Sequence, residues 1–315
     1  MIDSFGRNIN YLRLSVTDLC NYRCIYCMDS EGVKKREHSD ILSIEELINI
    51  SKVAVECGIN KIRLTGGEPL VRKGILKLCA SLKAIDGLEE LVLTTNGAKL
   101  TEMAKDLKSA GVDRLNISLD TLNEEKFKKI TRIGSIKEVL DGIDEAVDAG
   151  FKDVKINVVL MAGVNDDEIE DFVALTKDND VNVRFIELMP IGPCKNWYDE
   201  RFISTDIVTE KVPELKAVKK EGVADIYRLK DAAGTVGLIS PVTNIFCDKC
   251  NRLRVTADGR LLPCLHSDLE YNIRNISNEE LKEAFHTAIK NKPCSHNITE
   301  QHTSNNRNYM NKIGG

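Results

Sequence analysis

The sequence has no apolar run of the ~18–20 residues that a membrane-spanning helix needs. It also lacks a basic-then-apolar leader, so the expectation is a cytoplasmic protein with no membrane contact and no export. A basic excess is missing as well. The 44 Lys and Arg residues face 49 Asp and Glu, and the net charge of −5 argues against general nucleic-acid binding. Finally, two spaced groups of cysteines each stop at three members, so neither closes a four-thiolate site by itself.

What is present is ordinary in bulk: 315 residues, 42% hydrophobic and 30% charged. That length predicts one large domain and a smaller one, divided here as residues 1–220 and 221–315. Ten cysteines in an acidic chain without an export signal point to metal ligation in a reducing compartment, not to disulfides. Cys57 and Cys79 lie on apolar helical faces and read as small buried hydrophobes, while Cys194 and Cys294 are left over.

The first group is Cys20-Asn-Tyr-Arg-Cys24-Ile-Tyr-Cys27, directly after the alternating segment Tyr11–Thr17. Soft thiolates select iron–sulfur clusters, zinc or copper(I). A four-iron cube held by three thiolates keeps one iron open, as a metal site does when it binds substrate. The competing reading is structural zinc with a distant fourth ligand, but zinc knuckles usually bring paired C-x2-C arms.

Strands and helices then alternate. Ser43 and Glu46 form a capping box before a helix carrying Ile44, Leu47, Ile48 and Val55 on one face. Lys61–Thr65, Leu91–Thr95, Arg114–Leu119, Val154–Val159 and Val181–Glu187 read as strands. Lys73–Ile85, Thr101–Ala110 and a stretch near Glu168–Lys177 read as helices, and so does the segment capped by Ser135, with Ile136, Val139, Leu140, Ile143 and Val147 on its face. Six β/α steps imply a parallel sheet with right-handed crossovers.

Most of these strands carry one polar and one apolar face. Arg13, Ser15 and Thr17 are set against Leu12 and Leu14, Arg63 against Ile62 and Leu64, and Thr94 and Asn96 against Val92. Asn116 and Ser118 are set against Leu115 and Ile117, and Lys155 and Asn157 against Ile156. A closed eight-stranded barrel fills its interior with branched aliphatics, and a doubly wound sheet gives continuous apolar runs. The pattern therefore predicts a partial (β/α)6 barrel whose concave side holds a large polar ligand. With Arg252 and Arg254, the cations Arg13, Arg63 and Lys155 make a local positive site that matches a polyanion.

Past the second strand, Thr65-Gly66-Gly67-Glu68-Pro69 lets backbone approach a ligand closely. Beyond Pro190 the chain turns irregular around Trp197, with a helix at Thr205–Val212 and strands at Ile226–Leu229 and Thr235–Ile239. The second cysteine group follows as Cys247-x2-Cys250-Asn-Arg252-Leu-Arg254, with Cys264 returned by a turn at Asp258-Gly259. Spacing alone leaves two readings open here, a cluster or a Cys3His zinc site closed by His266. A capped helix at Asn278–Ile289 precedes a polar tail ending Met310-Asn-Lys-Ile-Gly314-Gly315.

The cysteine loop resembles the signature of the radical S-adenosylmethionine (SAM) enzymes. With Cys247-x2-Cys250-Asn-Arg252-Leu-Arg254 and the Gly-Gly end, the whole chain is similar to the GTP 3',8-cyclase family of that superfamily, which opens molybdenum cofactor biosynthesis. The resemblance implies a TIM-like partial barrel with a smaller C-terminal iron–sulfur region. It implies two [4Fe-4S] clusters, on Cys20, Cys24 and Cys27 and on Cys247, Cys250 and Cys264, with SAM touched by Tyr26, Gly67, Ser118 and Met189. GTP would be held by Arg13, Arg63, Thr94, Lys155, Arg252 and Arg254. Catalytic roles would fall to Arg252, Arg254, Gly314 and Gly315, the tail reaching into the active site. The implied partners are a flavodoxin- or ferredoxin-like reductant, a downstream pyranopterin synthase and a second copy in a homodimer. Asp29 follows Met28 where the family usually has Pro. A radical SAM enzyme that modifies a peptide with auxiliary clusters is the rival reading, and it gives Arg252 and Arg254 no task.

Overall fold

The computed structural model describes residues 1–33, 37–178, 180–296, 298, 304 and 309–314. Its centre is a run of parallel strands lying side by side in chain order: β1 (Tyr11–Ser15), β2 (Lys61–Thr65), β3 (Glu90–Thr95), β4 (Arg114–Ser118), β5 (Val154–Leu160) and β6 (Val181–Glu187). The connecting helices are α1 (Ile44–Glu56), α2 (Ile75–Lys83), α3 (Leu100–Ser109), α4 (Glu124–Thr131), α5 (Ile136–Asp148) and α6 (Ile169–Asp178). After β6 come the short α7 (Tyr198–Arg201) and α8 (Ile207–Lys211), then β7 (Lys216–Glu221), β8 (Ala224–Arg228), β9 (Val236–Ile239), β10 (Arg252–Val255), β11 (Arg260–Leu262), β12 (Tyr271–Asn272) and α9 (Asn278–Lys290).

The later strands extend the same sheet at both edges. β9 joins β6 in parallel and leads to β8 and β7, while β10 joins β1 in parallel and leads to β11 and β12. Strands from both flanks line one cavity, so the sheet rolls around it as a partial barrel.

Local signals account for the elements. In α1 the Ser43 Oγ accepts from Glu46 N at 3.1 Å and the Glu46 carboxylate accepts from Ser43 N at 2.7 Å. Ser277 and Glu280 repeat this box at α9. Each cap contributes about 1 kcal/mol. The helices cover one side of the sheet, where Leu12, Leu14, Ile62, Leu64, Leu115, Ile117, Val183 and Phe185 are fully buried. Cys57 and Cys79 belong to this core, as their helical placement predicts.

Three details differ from the sequence reading. In β3 the helix-facing residues are Leu91 and Leu93. Val92 shares the cavity face with Glu90 and Thr94, because residues two apart point the same way. In α5, Leu140 and Val147 are 37% and 40% exposed, and the buried stripe runs through Ile136, Val139, Gly142, Ile143 and Ala146. Ser135 occupies the N-cap position of that helix without making a side-chain capping bond.

Candidate active site

One cavity of about 670 Å³ occupies the concave side of the sheet. Cys20, Cys24 and Cys27 reach it from the loop after β1, and Cys247, Cys250 and Cys264 from the segment around β10 and β11. In the first trio Cys24 and Cys27 share one turn, with Cys27 N donating to Cys24 O at 2.9 Å. The second is closed by the β10–β11 hairpin, whose Gly259 has φ +83 and whose strands pair antiparallel.

Burial pushes the Cys20 thiol up to about 11 and the Cys27 thiol up to about 12, the latter countered in part by a backbone hydrogen bond from Asn311. Such thiols need a metal to hold them ionised. Burial would raise Cys250 as well, but Lys292 and Arg252 beside it bring it below the ordinary thiol value. Six soft donors around one cavity fit two iron–sulfur clusters. His266 meets Ser304 Oγ through Nδ1 at 3.2 Å and stacks edge-on against His296.

Register places the arginines side by side: Arg13 lies opposite Arg63 on one flank and Arg254 on the other, and Tyr11 lies opposite Arg252. Among the described residues none of these four arginines pairs with a carboxylate. Burial lowers Arg13 well below its ordinary value, and the neighbouring Arg254 adds to this. Arg254 falls to about 10 through burial and the nearby Arg252. Burial alone would raise the Tyr11 phenol, but Arg63, Arg13, Arg252 and Lys61 together take it below its usual value. Arg63 Nε, Arg252 Nε, Tyr11 Oη, Thr94 Oγ1 and Asn116 Oδ1 are buried with no hydrogen-bond partner among the described residues. Buried polar atoms of this kind call for partners. A polyanionic, hydrogen-bonding ligand would supply them.

Tyr26, Gly67, Ser118 and Met189 all line the cavity that the first cysteine loop reaches. The Tyr26 hydroxyl donates to Asp120 Oδ2 at 2.7 Å, and Asp120 Oδ1 accepts from Val159 N. Burial raises the Asp120 carboxyl to about 6. Gly67 runs against the loop so closely that a Cβ there would sit 2.3 Å from Leu19 O. Met189 packs with Ile191, Leu262 and the tail residues Met310 and Ile313.

The tail itself enters the barrel. Ile313 is fully buried, and the Gly314 carbonyl accepts from Arg13 Nε at 3.2 Å and Arg254 Nη1 at 2.7 Å. Gly314 has φ +71, and a Cβ on it would meet Thr65 Oγ1 at 2.4 Å, so only glycine fits. Gly315 lies outside the described residues. Asp29, at the position where the family usually has Pro, accepts a 2.7 Å hydrogen bond from the Tyr309 hydroxyl.

Lys155 lines the cavity but is already ion-paired, to Glu221 and at 3.3 Å to Asp153. The sequence reading also passed over lining residues. Lys61 begins β2 on the face of Arg63, and Arg184 alternates with Val183 and Phe185 in β6, so the same two-residue period marks both. Tyr11 begins β1 on the face of Arg13 and is marked in the same way, whereas Asp120 lies past the end of β4.

A parallel β/α partial barrel with a three-cysteine loop and a glycine-rich turn at the C-terminal ends of its first two strands defines the radical SAM class. The comparisons agree. Residues 14–176 match the radical SAM superfamily and residues 181–298 match Molybdenum Cofactor Synthesis C. The chain is 52% identical to the GTP 3',8-cyclase of Peptoclostridium acidaminophilum, over 100% of this chain and 98% of that one. It is 46% identical to the GTP 3',8-cyclase of Alkaliphilus oremlandii, covering both chains completely. The chain belongs to the GTP 3',8-cyclase family of radical SAM enzymes, which uses SAM and [4Fe-4S] clusters. Its fold is also that of Streptococcus suis SuiB, crystallised with precursor peptide SuiA, at TM-score 0.65 and 13% identity over 93% of this chain and 67% of that one. Among the described residues no helix is long and apolar enough to cross a membrane.

Proposed function

We propose that the chain performs the reaction its family is named for, closing GTP into 3',8-cyclo-7,8-dihydroguanosine triphosphate in the first step of molybdenum cofactor biosynthesis. The observation that carries this reading is that both cysteine trios, and four arginines with no carboxylate partner among the described residues, open onto one cavity. Cys20, Cys24 and Cys27 would hold the cluster that binds SAM, and Cys247, Cys250 and Cys264 the second cluster, beside the guanine. When bound, cluster and SAM together supply the carbon-centred radical that takes the 3' hydrogen of GTP. The chain's own residues bind, orient and seal. Tyr26, Gly67, Ser118 and Met189 would contact SAM. Arg13, Arg63, Thr94, Lys155, Arg252 and Arg254 would hold GTP, charge-assisted hydrogen bonds fixing its phosphates. The inserted tail places the Gly314 carbonyl on Arg13 and Arg254, where it orients both guanidinium groups and helps to exclude water.

The rolled sheet of residues 1–220 would carry the radical chemistry and residues 221–315 the second cluster and the tail. A flavodoxin- or ferredoxin-like reductant supplies the electron, a pyranopterin synthase takes the product, and the enzyme works in the cytoplasm as a homodimer. The test is anaerobic incubation of reconstituted protein with GTP, SAM and reductant. Formation of 5'-deoxyadenosine with an equal amount of cyclised nucleotide is expected. GTP returned unchanged would overturn the reading.

A further inference from the structure

The N-terminal ends of β2 to β6 carry charges that alternate in sign across the floor of the cavity. Lys61 pairs with Glu90 at 2.5 Å, Glu90 also with Arg114, and Arg114 with Asp153 at 2.9 Å. Asp153 lies 3.3 Å from Lys155, which is also paired to Glu221, and Glu221 lies 4.0 Å from Arg184. The three carboxylates of this row are not held alike. Glu90 sits on a strand flanked on both sides, and Asp153 leads directly into another. Glu221 is the last residue of β7, the outermost strand of the sheet, at the Gly222 turn into β8. The rest of β7 is exposed, and its pairing with β8 shifts register between Ala217 and Lys219. The one carboxylate on an exposed edge strand is thus the one lying on both Lys155 and Arg184. Burial alone would raise it, but Lys155 holds it down to about 2, so it is a full negative charge at neutral pH.

We infer that Glu221 is an internal counter-anion that occupies the place of a substrate phosphate, and that GTP binds by displacing it and the hairpin tip from Lys155 and Arg184. This deepens the reading of the cavity as a GTP site and rests on it. A polyanion and Glu221 cannot both neutralise the same ammonium and guanidinium at contact distance, because like charges brought together there repel. Glu221 therefore competes with the substrate.

The test is equilibrium binding of GTP, and separately of inorganic tripolyphosphate, to reconstituted wild type, Glu221→Gln and Glu221→Asp. Loss of a competing charge should tighten both ligands by about tenfold in Glu221→Gln, the scale of one charged hydrogen bond. Glu221→Asp, whose shorter side chain withdraws from Lys155, should tighten them in the same direction. The gain should vanish in a Lys155→Met background. Affinity that falls or stays unchanged in both Glu221 variants would overturn the inference while leaving the GTP site standing. GTP tightened with tripolyphosphate unmoved would overturn it too, by placing Glu221 against the nucleoside. Wild type that binds neither ligand would sink the underlying reading as well.

Discussion

Arg254 on β10 donates through Nη1 to the carbonyl oxygen of Gly314 at 2.7 Å, joining the second cysteine segment to the end of the chain inside the barrel. The same nitrogen reaches Ile313 O at 3.1 Å, and Arg13 reaches Gly314 O from the neighbouring strand. Deleting Gly314 and Gly315 should leave iron content, fold and SAM binding intact while cyclised product disappears. Product analysis should show only uncoupled 5'-deoxyadenosine. Cyclisation at the wild-type rate would mean that the tail docks without purpose.

The two cysteine trios sit on separate segments and should fail separately. Cys24→Ala should halve the iron and abolish SAM cleavage. Cys250→Ala should also halve the iron but retain some uncoupled cleavage. Iron and sulfide assays with anaerobic spectra check this, and unchanged iron in either variant refutes it.

Gly67 offers a purely steric test. A methyl group there would meet Leu19 O at 2.3 Å and Asp18 O at 2.7 Å, both backbone atoms of the cysteine loop. Gly67→Ala should cost about 1–3 kcal/mol, as overpacking does, and loosen the first cluster by shifting the loop. Faster iron loss to a chelator than in wild type is expected, with the second cluster unaffected.

Asp120 gives a pH signature. Its folded carboxyl is raised to about 6 by burial, so the folded state binds the proton more tightly than the unfolded chain. This group alone should therefore make stability fall by about 3 kcal/mol as pH rises from about 4 to about 6. In urea titrations of the metal-free protein, Asp120→Asn should remove that share of the slope, leaving the one from Glu68, whose carboxyl burial raises to about 7 and which continues to about pH 7. A slope equal to wild type would show that Asp120 ionises without cost.

The sequence shows β1, β2, β4 and β5 clearly because a strand's period of two separates cavity residues such as Arg13 from core residues such as Leu14. The two cysteine trios are legible for a different reason, since ligands on one short loop need no tertiary contact to be recognised. What stayed hidden depends on distant pairing. α4 holds few apolar residues beyond the buried Phe127 and Ile130, and its clearest sign is the Asn123 cap accepting from Glu125 N and Lys126 N. β7 reads Lys-Ala-Val-Lys-Lys-Glu and is almost wholly exposed, so no hydrophobic pattern marks it. Nothing local says that β9 will dock on β6 and β10 on β1. The Lys155–Glu221 pair follows from that docking, and it could not be read one segment at a time.

That docking also dictates how the molecule must assemble. β1 is among the first strands synthesised, yet one of its two neighbours is β10, and β6 likewise waits for β9. A chain that has emerged only as far as Pro190 shows two bare parallel edges to its surroundings, and unpaired edges are sites of association with other chains. Contacts this distant in sequence are slow to form. Until the last third of the chain arrives, the nascent protein is a half-rolled sheet with a basic lining and no second wall. Its yield in the cell should therefore depend on what shields those edges while translation finishes.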